Sequence, residues 1–86
     1  MKNEFVISAT GTKYWLLGGH LHRVDGPAVE FPNGNKEYYL EGKLHRTDGP
    51  SIEYGKGYKR WFFYGEEIEV SSNEEFLRML RLKAFW

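Results

Sequence analysis

Short stretches of alternating apolar and polar residues, separated by glycine, make up residues 1–69 of the chain. The stretch "AVEF" (28–31) alternates and is followed by "PNGN" and then by the aromatic run "KEYYL". Asn33-Gly34 predicts a two-residue type I′ hairpin turn, because both central positions of that turn need positive φ. The glycine in "EGK" (41–43) then reverses the chain again. We therefore predict two main strands per unit, one of them bent through "GKLHRxDGPxxEY", in an antiparallel meander of about six strands.

The tail, residues 70–86, has a different period. Ser72 and Glu75 have the spacing of a capping box, and Glu74 with Glu75 at the start and Arg81 with Lys83 near the end suit the helix dipole. We predict a C-terminal α-helix that lies on one face of the sheet or caps its last edge. The predicted apolar stripe at helical period consists of Phe76, Leu77, Met79, Leu80 and Ala84.

The chain overlays on itself at an offset of 23 residues without gaps, which defines units 1–23, 24–46 and 47–69. A period in this range is typical of stacked-repeat proteins. The predicted fold is therefore mainly β, with three hairpin units and a C-terminal helix. The coinciding positions include Gly11, Gly34 and Gly57; Lys13, Lys36 and Lys59; and Trp15, Tyr38 and Trp61.

Composition narrows the class of protein further. The 86 residues predict one small domain, and 12 basic against 12 acidic residues give no overall field that would attract nucleic acid or an anionic membrane. There is no cysteine, which excludes disulfides and thiolate chemistry and suits a reducing cytoplasm. No run of about 18 apolar residues predicts a membrane span, and the first twelve residues predict no signal peptide. We expect a cytoplasmic protein.

A histidine, an arginine and an aspartate recur in "LHRVDGP" (21–27) and "LHRTDGP" (44–50), at the two internal junctions between units. An element present at each junction and absent at both ends predicts a structural turn. In this interpretation the aspartates accept backbone hydrogen bonds, the glycines permit positive φ and the prolines fix φ. Each arginine bonds an aspartate, either the one two residues later or that of the next unit. The predicted turn residues are Asp25, Gly26, Pro27, Asp48, Gly49 and Pro50.

Catalysis by these motifs is not expected. No nucleophile lies at a useful spacing, and His22 and His45 would be separated by two strand spacings, roughly 10 Å, too far to share one zinc ion. His20 and His22 share a face but lack a third ligand. We predict no enzyme activity, no metal and no cofactor. The alternative is a polar groove for a small ligand or nucleotide, lined by His22, Arg23, His45 and Arg46.

The aromatic residues predict two apolar sheet faces. One carries the Trp15, Tyr38 and Trp61 register, and the opposite face carries further aromatic side chains that one helix cannot also cover. That second face would serve a partner protein or self-association, including a homodimer. Its lysine-flanked rings could also stack bases, but interleaved glutamates and zero net charge disfavour nucleic acid. The predicted partner-binding residues are Tyr14, Tyr39, Phe62, Tyr64 and Arg60.

The unit "GKLHRTDGPSIEYGKGYKRWFFYG" resembles the MORN-type repeat, and more closely a variant of it, H-R-x-D-G-P-A…G…W-Y…G, that is common in small proteins of bacteriophages and large viruses. The resemblance covers residues 1–69. It departs where the first unit lacks "DGP" and where the third has "EEIE" (66–69) in place of "KLHR". It implies an elongated sheet of stacked hairpins used for binding, with no catalytic residue.

We therefore expect a non-enzymatic protein-binding module whose partner is a host protein or protein complex. By analogy with the viral repeats, it would be a phage-encoded modulator or inhibitor of an antiviral defence protein, acting in the host cytoplasm. Two alternatives stay open: binding of a small ligand or nucleotide through the histidine–arginine motifs, and a structural role in a viral particle.

Overall fold

The computed structural model describes residues 3–83, which form mainly antiparallel β-structure followed by one α-helix. The predicted mainly-β class and the C-terminal helix are confirmed. The elements are β1 (Glu4–Ile7), β2 (Lys13–Leu17), β3 (His20–Leu21), β4 (Val29–Glu30), β5 (Lys36–Glu37), β6 (Tyr39–Leu40), β7 (Lys43–Leu44), β8 (Ile52–Glu53), β9 (Lys59–Phe63), β10 (Glu66–Ile68) and α1 (Asn73–Lys83).

The main sheet has the order β1-β2-β4-β5-β8-β9-β10, with β3 paired to β2, while β6 and β7 form a separate hairpin. Between β3 and β4 the chain leaves the sheet and then returns to it. The residues at both ends of this excursion bond the backbone of a single residue of β2, Trp15. Trp15 accepts the N–H of His22 (3.0 Å) and donates its own N–H to Ala28 (2.8 Å). Tyr38 does the same with His45 (2.9 Å) and Ser51 (2.8 Å). The predicted long, bent strands are therefore wrong in detail, because each is two short strands joined by a loop whose two ends bond one aromatic residue. The described residues form ten strands, where about six were predicted.

The predicted type I′ turn at Asn33-Gly34 is wrong. Only Gly34 has positive φ (95°), and the bonded residues are Phe31 and Asn35, which leaves a three-residue loop. Pro32 fixes φ near −65°, which suits the first corner of a type I turn over residues 31–34. Pro32 also has no N–H, so it cannot form the bonded pair with Asn35 that a two-residue turn at Asn33-Gly34 requires.

Turns with positive φ at both central residues lie instead at the second glycine of each unit. Glu41 (51°) precedes Gly42 (80°), and Tyr64 (44°) precedes Gly65 (88°). A non-glycine residue in this conformation is strained, so each of these hairpins needs support from its surroundings.

The two faces of the sheet follow from the register, because directly opposite residues in antiparallel strands point the same way. We call the side that carries Trp15, Tyr38 and Trp61 the helix face, and the side that carries Tyr14 and Tyr39 the tyrosine face. Across the tyrosine face the opposite residues are Val6, Tyr14, Val29, Glu37, Ile52 and Arg60.

One hydrophobic cluster lies between the helix and the last two strands, on the helix face, whereas Val29, Ile52 and Phe62 are buried on the tyrosine face. Trp61, Ile68 and Phe76 are buried together. The helix begins as predicted, since the N–H of Glu75 donates to Ser72 Oγ (3.2 Å). Partly buried residues packed against this cluster are Phe63, Val70, Met79 and Leu80.

The predicted apolar stripe of the helix is only partly correct. Phe76 is fully buried and Met79 and Leu80 pack on the cluster, but Leu77 is 38% exposed. Successive residues of a helix are rotated by about 100°, so Leu77 lies to one side of the buried face, whose centre is Phe76. Ala84 lies outside the described residues.

Candidate functional site

The two "HRxDGP" segments, residues 22–27 and 45–50, are the loops in which the chain leaves the sheet; we call them the bend loops. Arg46 organises the second. Its Nε donates to Asp48 Oδ1 (2.8 Å), and its Nη1 donates to Glu53 Oε1 (2.9 Å) and to the carbonyl oxygen of Pro50 (3.2 Å). These bonds tie both arms of the loop to one guanidinium group.

Arg23 makes the same contacts in the first bend loop. It bonds Asp25 Oδ1 (3.2 Å), Glu30 Oε2 (3.3 Å) and the carbonyl oxygen of Pro27 (3.1 Å). The predicted bond between each arginine and the aspartate two residues later is present in both loops. In each loop, one positive charge is matched by two negative charges.

Each guanidinium group also lies over an aromatic ring from an earlier part of the chain. The Cζ atom of Arg23 is 3.9 Å from the ring centroid of Trp15, and that of Arg46 is 3.9 Å from the ring centroid of Tyr38. Such cation–π contacts add to the charge-assisted bonds. Burial is the main cause that raises the pKa of Tyr38. The arginines thus cover Trp15 and Tyr38, two of the three aromatic residues that share this register.

The glycines of the bend loops have a different role from the one predicted. Neither Gly26 nor Gly49 has positive φ. A Cβ atom would lie 2.9 Å from Arg23 Cζ at Gly26 and 2.7 Å from Arg46 Cζ at Gly49. Glycine is required there because each guanidinium group is sandwiched between an aromatic ring and the glycine backbone.

The third aromatic residue of this register, Trp61, is covered by the helix. Its Nε1 donates to Asn73 Oδ1 (3.3 Å), and Asn73 Nδ2 donates to the carbonyl oxygen of Thr47 (3.4 Å). The helix start therefore contacts the second bend loop as well as the last strands. At the position of the third unit that corresponds to Arg46, the sequence has Glu69.

The histidines support the strained hairpin turns. His22 Nδ1 accepts the N–H of Glu41 (2.9 Å), and His45 Nδ1 accepts the N–H of Tyr64 (3.0 Å). In both cases the donor is the residue with positive φ. This explains why a histidine precedes each bend-loop arginine: it anchors the next hairpin turn to the bend.

His45 is buried against aromatic rings. It stacks on Tyr64 with ring centroids 3.8 Å apart and meets the edge of Phe63 at 4.9 Å. Burial lowers the pKa of His45 below its ordinary value of about 6.5. The neutral imidazole is the form that can accept the Tyr64 N–H at Nδ1.

This arrangement predicts a loss of stability in mild acid. The folded-state pKa of His45 is lowered, so its stabilising contribution is complete above the unfolded-state value of about 6.5 and is lost as pH falls through the folded-state value. We expect the melting temperature to fall between about pH 7.5 and 5 by more in the wild-type protein than in His45→Asn, whose amide oxygen can accept the same bond but does not titrate. Parallel curves for the two proteins would contradict the assignment.

A cleft of about 530 Å³ lies between the two bend loops. Arg23, His45 and Arg46 line it, as the small-ligand alternative requires, but His22 does not. The guanidinium groups of the cleft are each paired with two carboxylates, so the site carries no excess of positive charge. An anionic nucleotide is therefore a poor match.

The predicted partner-binding residues divide into exposed and buried ones. The prediction that Phe62 is exposed is wrong, since it is only 7% exposed. The hydroxyl of Ser51 accepts the N–H of Phe62 (3.1 Å) and donates to its carbonyl oxygen (3.0 Å). The guanidinium of Arg60 lies over the ring at 5.1 Å. Phe62 is thus part of the packed interior at this end of the tyrosine face.

The remaining members of the set stay accessible to different degrees. Tyr14 and Tyr39 are half-buried on the tyrosine face. The hydroxyl of Tyr39 donates to Glu37 (3.0 Å), and burial together with that carboxylate raises the pKa of Tyr39 to about 12. Tyr64 is exposed at its hairpin turn, and Arg60 is exposed and paired with Glu67 (2.8 Å). The structure brings Tyr14 and Tyr39 to one face and leaves Tyr64 at the rim.

The lysines that could form a basic stripe are separated by acidic residues. The register places Lys13 opposite Glu30, Glu30 opposite Lys36, Lys36 opposite Glu53, and Glu53 opposite Lys59. Alternating charge across five strands gives no continuous track for phosphates. Within residues 3–83, no group of three or more histidine or acidic side chains is arranged to hold a metal ion.

No function was predicted for strand β1, although its apolar run "FVI" (5–7) indicates a candidate contact surface. Phe5, Val6 and Ile7 are 51%, 44% and 56% exposed.

Protein-family models, curated proteins and solved structures offer no match to this chain. In the described part of the chain, the helix is too short and too polar to cross a membrane.

Proposed function

We propose that the chain is a non-enzymatic protein-binding module that contacts its partner through the tyrosine face. The helix packs on the helix face, and Tyr14 and Tyr39 remain partly exposed on the tyrosine face. Val29, Ile52 and Phe62 on that face are buried, so the accessible surface is the part that carries the two tyrosines. The accessibility of these two tyrosines carries the proposal. Half-exposed tyrosines offer both apolar area and hydroxyl groups, the combination typical of protein interfaces.

We further propose that the sheet consists of three MORN-like hairpin units, residues 1–23, 24–46 and 47–69. In support, one backbone bond recurs at the offset of 23, from Gly11 to Ser8, from Gly34 to Phe31 and from Gly57 to Tyr54. Repeat sheets of this kind expose extended surfaces suited to binding proteins.

The bend loops support a role without catalysis. Each bend-loop arginine holds its own loop together, and each bend-loop histidine anchors a strained turn. These side chains already have partners within the fold. By analogy with the viral repeats that the sequence resembles, we propose a phage-encoded modulator of a host defence protein in the host cytoplasm.

The test is a pull-down from host lysate followed by quantitative mass spectrometry. We expect the wild-type protein to retain a stoichiometric partner that Tyr14→Ala and Tyr39→Ala lose by tenfold or more. Tyr58→Ala is the matched control, because Tyr58 is 75% exposed at a hairpin turn, and it should retain the partner. Equal retention by all variants would refute the role of the tyrosine face.

The cleft between the bend loops favours a second candidate, the binding of a small ligand. A nucleotide thermal-shift screen tests it, because a ligand that binds only the folded state raises the melting temperature. Given the paired charges of the cleft, we expect no shift with nucleotides. A shift that Arg46→Ala abolishes would favour this function over protein binding.

A further inference from the structure

The two ends of the main sheet differ in character. At one end, β10 carries Glu66 and Glu67 at exposed positions, and its apolar residue Ile68 is covered by the helix core. Acidic side chains on an outer strand discourage further pairing. At the other end, β1 pairs only with β2 among the described elements, and its three apolar side chains are about half exposed. Of the two ends of the described sheet, only the β1 end therefore has the apolar side chains that favour pairing with another strand.

The hydrogen-bond pattern shows which groups of β1 point outward. The N–H of Ser8 donates to Thr12 on the neighbouring strand (2.8 Å), whereas Trp15, opposite Phe5, uses its N–H and carbonyl on its other side. In antiparallel strands, bonded and non-bonded pairs alternate. The N–H and carbonyl groups of Phe5 and Ile7 therefore point to the outer edge.

We propose that a second copy of this chain pairs with β1 in antiparallel orientation, centred on Val6. In this register Phe5 lies opposite Ile7 of the second copy, Ile7 lies opposite its Phe5, and the two Val6 residues face each other. Both outward-pointing residues then form bonded pairs, each exchanging two backbone hydrogen bonds. The pairing is isologous and closes as a dimer.

The side chains favour a second copy over an unrelated strand. On the helix face, Phe5 meets Ile7 of the second copy twice, and on the tyrosine face Val6 meets its counterpart. The only charged residue of β1, Glu4, lies opposite Ser8 of the second copy, so like charges do not meet. Centring on Phe5 would place Glu4 opposite Val6 and Ile7 opposite Asn3, which loses this match.

The dimer goes beyond the proposed function, because it does not depend on what the tyrosine face binds. It would join the tyrosine faces of two chains into one continuous surface, with the helices at the two far ends. A partner with its own two-fold symmetry would then contact both copies.

Mass measurement by light scattering after gel filtration tests the assembly. We expect the wild-type mass to be twice that of the chain and Val6→Lys to be monomeric, because two lysines would then oppose each other at the two-fold axis. Val24→Lys is the control, since Val24 is 83% exposed in a bend loop, and it should remain a dimer. A monomeric wild-type protein at about 100 μM, or a dimeric Val6→Lys, would overturn the proposal.

Cysteine cross-linking tests the register directly, because the chain has no cysteine of its own. Residues in a non-bonded antiparallel pair lie about 4.5 Å apart at Cα, within the range for a disulfide. Mild oxidation should convert Val6→Cys to a covalent dimer, while Phe5→Cys and Val24→Cys stay monomeric on a non-reducing gel. Efficient cross-linking of Phe5→Cys instead would reject the Val6-centred register. Tyr39→Ala should lose the partner and keep the dimer mass, which separates failure of this proposal from failure of the proposed function.

Discussion

Replacing Phe76 with alanine is expected to lower the free energy of unfolding by about 3–5 kcal/mol, the usual cost of emptying a buried phenylalanine site. Phe76 is fully buried and joins the helix to Trp61 and Ile68 of the last two strands. For a domain of this size, such a loss lowers the melting temperature by more than about 10 °C. Thermal unfolding followed by circular dichroism measures it.

Leu77→Ala is the matched control for this prediction. Leu77 is the next residue in the same helix and also loses most of its side chain, but it is 38% exposed. We expect it to cost less than about 1 kcal/mol. If the two variants lost similar stability, the helix would contribute through its own propensity and not through the Phe76 contact with the sheet.

The features that the sequence predicted correctly depend on residues close together in the chain. The helix start follows from Ser72 and Glu75, which are three positions apart. Each bend-loop arginine meets the aspartate two residues later, as Arg46 and Asp48 show. Local spacing is enough to predict such contacts because few other partners are within reach.

The features that were missed depend on contacts between strands. The role of Gly49 follows from the position of Arg46 over Tyr38, which lies between β5 and β6. Phe62 is buried, and its backbone is bonded by the hydroxyl of Ser51, eleven residues away. A pattern of apolar and polar residues assigns a face but does not determine how deeply one side chain on that face is packed.

The candidate site likewise combines a local motif that the sequence predicted with a contact between hairpins that it did not predict. The sequence placed His45 and Arg46 at a junction between units, and the structure adds that Nδ1 of His45 binds the strained Tyr64 turn of the following hairpin. The histidine–arginine pair therefore links consecutive hairpins on both sides of the bend. This explains why the motif occurs at internal junctions, where a hairpin lies on each side.

Gly49→Ala is expected to destabilise the protein by about 1–3 kcal/mol, the typical cost of adding a methyl group to a tightly packed site. Gly49 does not have positive φ, so the alanine backbone itself is not strained. The cost arises because the new Cβ would lie 2.7 Å from the Arg46 guanidinium carbon. To escape, the guanidinium would have to leave Tyr38, Asp48 and Glu53 together. Chemical denaturation provides the measurement.

A double-mutant cycle separates this cause from a general effect on the loop. With Arg46→Ala already present, Gly49→Ala should cost nothing or stabilise slightly, because alanine lowers the entropy of the unfolded chain. Gly57→Ala is the control: Gly57 has positive φ (103°) and open space around it, so its cost from backbone strain should be the same with or without Arg46. An unchanged cost of Gly49→Ala in the Arg46→Ala background would mean that glycine is required by the loop backbone, and that the guanidinium sandwich does not determine the motif.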